Sequence, residues 1–380
     1  MKIIKGGITQ PKGFRANGVC CGIKRSGKLD FGLIVSDALA TAAGVFTKNS
    51  IVAAPLTVTK KHIRDHKAQA IVVNSGNANC FTGNFGILYA KRTAELIAKL
   101  AHIPRKNVLV ASTGIIGKML PIKKIQKATA GLVKGAKVTG FNKFAKSILT
   151  TDTKTKQIVV SVMLGGKKVT IAGCAKGSGM IAPNMATMLG FITTDAAIGS
   201  KMLQSALKKA TDQSFNNISV DGCMSTNDMV VVLANGFAGN KTITKPGKDF
   251  EIFSKAINHV CLDLAKKIVL DGEGATKFIE IRIHGAKTNT QAKKIAMTIA
   301  NSNLVKTAAY GSNPNWGRVA AAVGSLGISK ITEKSIKIKF NSFIQKHIII
   351  GVELHLGKGE ATVYTSDLSL EYVRINGKYN

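Results

Sequence analysis

The chain has 380 residues and a mass of 40.1 kDa, enough to bury roughly 75% of its extended-chain surface as one large domain or two ordinary ones. With 45% hydrophobic and 19% charged residues, it cannot be a disordered chain, a coiled coil or a small disulfide scaffold. Its formal charge of +34 comes mostly from lysine, with aromatics at 6% and one Trp; this argues against base reading and single-strand stacking, so no specific nucleic-acid partner is expected.

In chain order, Phe31–Val35, Ala70–Val73 and Val108–Ala111 are short, rich in β-branched residues and bounded by Gly, Asn or Ser, which predicts buried strands. Leu88–Leu100 and Ile122–Val133 carry helical spacing. Gln157–Leu164, the pair Gly165-Gly166 and Lys167–Ile171 form a hairpin signature, because the turn pair tolerates positive φ. Met202–Ala210 and Phe250–Val269 predict helices, and Phe278–Ile283 predicts a strand. Ile348–Leu356 and Glu360–Tyr364 predict two late strands around a Gly-Lys-Gly turn. The pattern is a mixed α/β chain with much antiparallel pairing and no internal repeat.

The start of the chain shows no signal peptide. The uncharged stretch Gly177–Thr194 holds Pro183, Asn184 and several hydroxyl residues, so it does not read as a membrane span. A cytoplasmic protein without a membrane partner is expected. Six cysteines show no C-x-x-C spacing and seven histidines no ligand spacing, so no metal is expected. His62 and His66, four residues apart beside Lys60, Lys61 and Arg64, predict a solvated helix face.

Four stretches carry polar and glycine residues that a plain core would not need. Asn74-Ser-Gly-Asn-Ala-Asn79 follows a predicted strand and reads either as a loop lining a site or as a plain strand-to-helix turn. Ser112-Thr-Gly-Ile-Ile-Gly117 also follows a strand. It offers a hydroxyl and an unobstructed backbone N–H, two donors that could hold an oxyanion, or it is a structural turn. Lys176-Gly-Ser-Gly-Met-Ile-Ala-Pro-Asn-Met-Ala-Thr-Met188 runs from one lysine to Thr187, at the edge of the apolar run Met188–Ile192. Cleavage before Thr187 would free an α-amine with a reference pKa of about 7.7–8.0, able to act as base for its own hydroxyl. An intact threonine opening a strand is the ordinary alternative. Asp271-Gly-Glu-Gly274 sets one glutamate between two glycines after a long helix, as a site or as a plain acidic loop.

Taken together, these stretches resemble the ornithine acetyltransferase (glutamate N-acetyltransferase) family of arginine biosynthesis. The resemblance runs nearly end to end. It covers Pro11–Arg15, Phe46–Asn49, Asn74–Asn79, Ser112–Gly117, Thr150–Thr153, Lys176–Thr187, Ser219–Gly222 with Ser225–Asp228, Asp271–Gly274, Asn313–Arg318 and Glu371–Asn376. It implies a layered α/β sandwich of mixed sheets flanked by helices, related to self-processing N-terminal-nucleophile aminopeptidases. It implies self-cleavage between Ala186 and Thr187 into an α chain (1–186) and a β chain (187–380), intertwined and paired again as α2β2. Thr187 matches the nucleophile, and Thr113 and Gly114 match the oxyanion pair. Thr150, Lys176, Thr187, Glu273 and Asn376 match substrate-binding positions. The implied reaction takes acetyl from N2-acetyl-L-ornithine to L-glutamate through an acetyl-threonine. No cofactor is implied, and acetyl-CoA stands open as a second donor. An aminopeptidase-like amidase using the same threonine is the alternative. The family pattern has a further hydroxyl five residues beyond Asn376, where this sequence has stopped at Asn380; its terminal carboxylate is expected near that place. Cys223-Met224 stands where an acidic residue and Thr are commoner.

Overall fold

A computed structural model describes residues 1–182 and 188–378. The strands are β1 (Lys2–Ile3), β2 (Phe14–Val19), β3 (Phe31–Phe46), β4 (Lys67–Asn77), β5 (Val108–Ile115), β6 (Lys156–Leu164), β7 (Lys167–Lys176), β8 (Leu189–Thr194), β9 (Ile218–Ser219), β10 (Met229–Ala234), β11 (Phe278–Ala286), β12 (Ile336–Phe340), β13 (His347–Leu354) and β14 (Gly359–Ser366). The helices are α1 (Ala54–His62), α2 (Gly83–Ala101), α3 (Ile122–Lys134), α4 (Phe141–Ser147), α5 (Ser200–Asp212), α6 (Lys248–Leu270), α7 (Asn289–Ala300), α8 (Asn303–Tyr310), α9 (Trp316–Gly324) and α10 (Leu370–Gly377). The chain forms two compact units.

The first unit holds Met1–Gly177, β8 with the chain up to Ser214, and Ser225–Leu264. Its sheet runs β1-β6-β7-β8-β10-β3-β4-β5, with β2 also on β3. β8 with β10 and β4 with β5 are parallel; the other pairs are antiparallel. β3 meets β4 and β2 along its first half and β10 along its second, with a register shift against β4 between Val35 and Ala40 that bends it between them. Alternation sorts the side chains. Ile34, Ile71, Val73, Leu109 and Ala111 enter one core with Phe144 of α4 and Phe191 of β8. Leu33, Ala70, Val72, Val108 and Val110 enter a second core against Ala90, Ala94 and Ile97 of α2 and Ile125 and Leu132 of α3. With both faces covered, β8 and β10 are buried at every residue, which explains their unbroken apolar runs.

The second unit takes the chain from Ala265 onward, Phe215–Met224 and the segment that begins at Ser178. Its sheet order is β12-β13-β11-β14-β9. Ile279, Ile281, Ile283, Ile348, Ile350 and Val352 bury one face against α7, α8 and α9.

The mixed sheets flanked by helices are those expected. The predicted strands and helices all lie inside or across observed ones, and Gly165 and Gly166 both take positive φ in the β6–β7 turn. α2 begins five residues before the predicted start, because its first turn, Gly-Asn-Phe-Gly, is built of weak helix formers. His62 and His66 share no helix face. His62 ends α1 with Nδ1 2.8 Å from the Val108 carbonyl oxygen, whereas His66 has φ 57° after the short 3-10 turn Ile63–Asp65.

Candidate active site

In the first unit, parallel pairing brings the C-terminal ends of β4 and β5 side by side, with Ser75 opposite Thr113 and Gly76 opposite Gly114. Both glycines have positive φ, at 94° and 129°. A Cβ on Gly114 would lie 2.4 Å from the Gly76 carbonyl carbon and 2.5 Å from the Asn77 nitrogen. Only glycine permits this approach of two backbones. Buried Thr113 is thereby fixed at the strand end.

The asparagines around it hold the scaffold. Asn74 Nδ2 donates to the Asn77 carbonyl, and Asn74 Oδ1 accepts from the Ser112 hydroxyl at 2.6 Å. Asn77 Nδ2 donates to the Lys118 and Met119 carbonyls, and Asn79 Nδ2 to that of Gly86. Asn227 joins both strand ends from outside, its Nδ2 donating to the carbonyls of Ala78 at 2.7 Å and Ser112 at 2.9 Å. Asn74–Asn77 is therefore the end of β4 and not a loop after it, as Ser112–Ile115 is the end of β5; with Asn79 just beyond, its asparagine side chains bond inward to set the positions of Thr113 and Gly114.

Lys176 ends β7 almost fully buried, at 3% exposed. Its ammonium lies 3.8 Å from Asp152 Oδ2. Asp152 Oδ1 accepts from Lys156 Nζ and from the Gly177 N–H, each at 2.7 Å. Oδ2 accepts from the Thr150 N–H at 3.0 Å. Burial pushes the Asp152 carboxyl upward, but the Lys176 and Lys156 ammonium groups outweigh it and hold the group well below the usual carboxylate range. Two ammonium groups thus share one buried carboxylate. Such a cluster has positive charge to offer an incoming anion. Lys24 adds to it. Its stem lies against Gly76, where a Cβ would sit 3.0 Å from Lys24 Cγ, and its charge is felt by Asp152 and Lys176. Burial lowers the Lys24 ammonium to about 8. Lys24 and Thr150 line one cavity of about 510 Å³ with Lys28, Lys146 and Asp152. The structure therefore brings Thr150 and Lys176 together on Asp152, and Thr113 beside Gly114, with the Lys24 stem against Gly76 and its Nζ donating to the Leu29 carbonyl at 2.8 Å.

Ala186 and Thr187 lie outside the described residues. The chain resumes at Met188, whose N–H donates to Asp228 Oδ1 at 2.9 Å. Burial raises the Asp228 carboxyl well above its ordinary value, and its buried Oδ2 has no hydrogen-bond partner among the described residues. The Asp228 carbonyl accepts from the Thr47 N–H.

In the second unit, Glu273 and Asn376 meet directly, Asn376 Nδ2 donating to Glu273 Oε2 at 2.8 Å. Glu273 is buried and its N–H donates to the Ser178 carbonyl. Asn380, expected near the site, lies outside the described residues.

Asp152, Asn227 and Asp228 all stand in stretches singled out above, yet received no role there. A usable signal was scarcity: residues 1–186 contain only five acidic residues against 30 basic ones, and Asp152 is one of them. Among the described residues, no cluster of His, Cys, Asp and Glu is placed to hold a metal, and no helix is long and apolar enough to cross a membrane.

Residues 15–345 match the ArgJ family. The chain is similar to the arginine biosynthesis bifunctional protein ArgJ of Oceanobacillus iheyensis, 47% identical over 403 residues that cover 100% of this chain and 98% of that protein. The ArgJ protein of Listeria monocytogenes is 47% identical over 401 residues, covering 100% of both. Among solved structures, the ornithine complex of Mycobacterium tuberculosis ornithine acetyltransferase matches with a TM-score of 0.44 and 34% identity, over 48% of this chain and 97% of that one.

Proposed function

The chain belongs to the ArgJ family, and from that premise we propose that it transfers acetyl from N2-acetyl-L-ornithine to L-glutamate in arginine biosynthesis. The observation that carries this reading is the Thr150–Asp152–Lys176 cluster with its buried Asp152 and Lys176 side chains, which ends eleven residues before the threonine matched to the nucleophile. Donor and acceptor are both α-amino acids. A buried lysine whose aspartate is already shared with a second lysine is suited to an α-carboxylate, and a charged hydrogen bond of that kind contributes about 1.5–3 kcal/mol.

The chain first cuts itself between Ala186 and Thr187. The freed Thr187 amine then takes the proton from its own Oγ as Oγ bonds to the acetyl carbonyl carbon. The negative oxygen of the tetrahedral intermediate is held by the Thr113 hydroxyl and the Gly114 N–H. The C–N bond breaks, the proton passes to the leaving amine, and ornithine departs from an acetyl-threonine ester. The glutamate amine attacks the ester carbonyl carbon and loses a proton to the Thr187 amine; the ester C–O bond then breaks, Thr187 Oγ takes that proton back, and N-acetyl-L-glutamate leaves. Glu273 and Asn376 bind the amino-acid substrates. No cofactor enters, and two α and two β chains form the working assembly.

The test offers N2-acetyl-L-ornithine and acetyl-CoA separately, each with glutamate, to purified protein. N-acetylglutamate from the first arm is the expected result; product in the second arm adds acetyl-CoA as a donor. Free acetate without N-acetylglutamate would replace the transferase by an amidase. N-terminal sequencing should find a second chain beginning Thr-Met-Leu-Gly, and Thr187→Ala should remain one inactive chain.

A further inference from the structure

Asp221 lies in the Ser219–Gly222 stretch, to which the mechanism gives no role. Its carboxylate collects four donors from three separate pieces of chain, all within the second unit. Oδ2 accepts from the Met180 N–H at 2.6 Å and from the Tyr372 hydroxyl at 3.2 Å. Oδ1 accepts from the Ile181 N–H at 2.9 Å and from the Cys223 N–H at 3.1 Å.

Two of those pieces lead to the Glu273–Asn376 pair. The segment Ser178–Ile181 backs Glu273: a Cβ on Gly179 would lie 2.2 Å from Glu273 Oε2, and the Ser178 hydroxyl donates to the Asp271 carbonyl. Met180 in this segment has φ 58° with its side chain exposed. Such a conformation is uncommon for a residue with a Cβ. Its own side chain does not pack it there; the two backbone bonds to the Asp221 carboxylate do, beside the buried Ile181 side chain and the Ile181 carbonyl, which accepts from the Val220 N–H and the Ser219 hydroxyl. The other piece is α10. Tyr372 precedes Asn376 by one turn, and Asn376 Nδ2 donates to the Tyr372 carbonyl at 3.0 Å as well as to Glu273. The contacts close a ring from Asp221 through Tyr372, Asn376, Glu273, Gly179 and Met180 back to Asp221.

We infer that Asp221 is a positioning residue for the Glu273–Asn376 pair, tying the segment behind Glu273 and the helix that carries Asn376 to one carboxylate. The inference rests on the acetyltransferase reading, which assigns that pair to substrate binding. Its test joins a chemical readout to one that needs no chemistry.

Asp221→Asn puts an NH2 where one acceptor stood, so it cannot serve all four donors. Amide hydrogen exchange at Met180 and Ile181 should quicken by about tenfold or more. On the same protein, KM for acetylornithine should rise about threefold or more while kcat per processed molecule stays within about twofold. Tyr372→Phe removes only the hydroxyl bond; it should raise KM and leave exchange at Met180 and Ile181 as in the parent. Parental exchange at those two amides in Asp221→Asn would overturn the inference. So would faster exchange spread evenly over β11, β13 and β14, which would mean general loosening, or a parental KM in Tyr372→Phe. A parent that transfers no acetyl refutes the acetyltransferase reading instead, and exchange on the same samples still decides whether Asp221 holds the segment.

Discussion

Asp152 and Asp228 are both buried in the first unit, and both accept backbone N–H bonds, yet their surroundings push them in opposite directions. Asp152 has two lysine partners, and its folded pKa lies below the unfolded value. Its stabilising contribution is therefore present above about pH 4 and is lost as the pH falls through the folded pKa. Asp152→Asn leaves Lys156 buried beside a neutral group and should cost about 3–5 kcal/mol at pH 7, read by urea unfolding. The gap to the parent should narrow as the pH drops below about 4. For Asp228, burial dominates and the folded pKa is raised. Its neutral form is matched to the fold below about pH 4, and stability is lost as the pH rises through the folded pKa. Asp228→Asn keeps an acceptor for the Met188 N–H and removes that titration, so at pH 8 it should be at least as stable as the parent. A variant more than about 2 kcal/mol weaker there would refute this account. Catalysis divides differently. Thr113→Ala should lower kcat by about a hundredfold with little change in KM, because its donor matters once charge reaches the acetyl oxygen. Lys176→Ala should raise KM for both amino acids. Rates must be taken per processed molecule, since either change can also slow self-cleavage.

At the scale of elements, the strands that place the site were legible and the devices that join them were not. Ala70–Val73 and Val108–Ala111 stand out as apolar β-branched runs, but nothing local says that they lie parallel with Gly76 opposite Gly114. Gly114→Ala tests that crossing. Its φ of 129° and the blocked Cβ position predict a loss of about 2 kcal/mol or more and a collapse of kcat, with Gly117→Ala as the milder comparison because open space surrounds it. Four of the helices missed by periodicity had another signature, which α1 and α4 lack. Thr288, Ser302, Asn315 and Ser369 each accept the N–H of a residue three positions on, at the starts of α7, α8, α9 and α10. Their caps were readable from the sequence, because a hydroxyl or amide side chain at a helix start satisfies an N–H that the first turn leaves open.

Across the whole molecule, the ordered series of short motifs was legible, and it sufficed for the family. The pairing of distant strands was not. β10 pairs with the second half of β3, nearly two hundred residues earlier, and neither strand carries a mark of the other. Charge shows the same limit. The excess of lysine in residues 1–186 reads as surface dressing, whereas Asp30 and Asp152, two of the five acids there, are spent inside. Asp30 accepts the N–H groups of Cys21, Ile23 and Lys24 and shapes the loop that carries Lys24. Sequence arithmetic counts such acids against the net charge, although they neutralise nothing on the surface.

The strand order of the large sheet sets a kinetic asymmetry once the proposed cut is made. β8 and β10 would then belong to one fragment, flanked on either side by β7 and β3 of the other, with six residue pairs along each seam. A protein that unfolds into two fragments no longer has a midpoint independent of concentration: about hundredfold dilution removes about 2.7 kcal/mol from the associated state. Melting of the processed protein should therefore fall by a few degrees over such a dilution, and more steeply than that of uncut Thr187→Ala, whose protomer stays one chain when it unfolds. Equal dilution behaviour in the two would mean that the seams do not join separate chains. Time is affected as well. The precursor reaches this sheet by a first-order search, whereas the mature pair, once denatured, must first find its partner in solution.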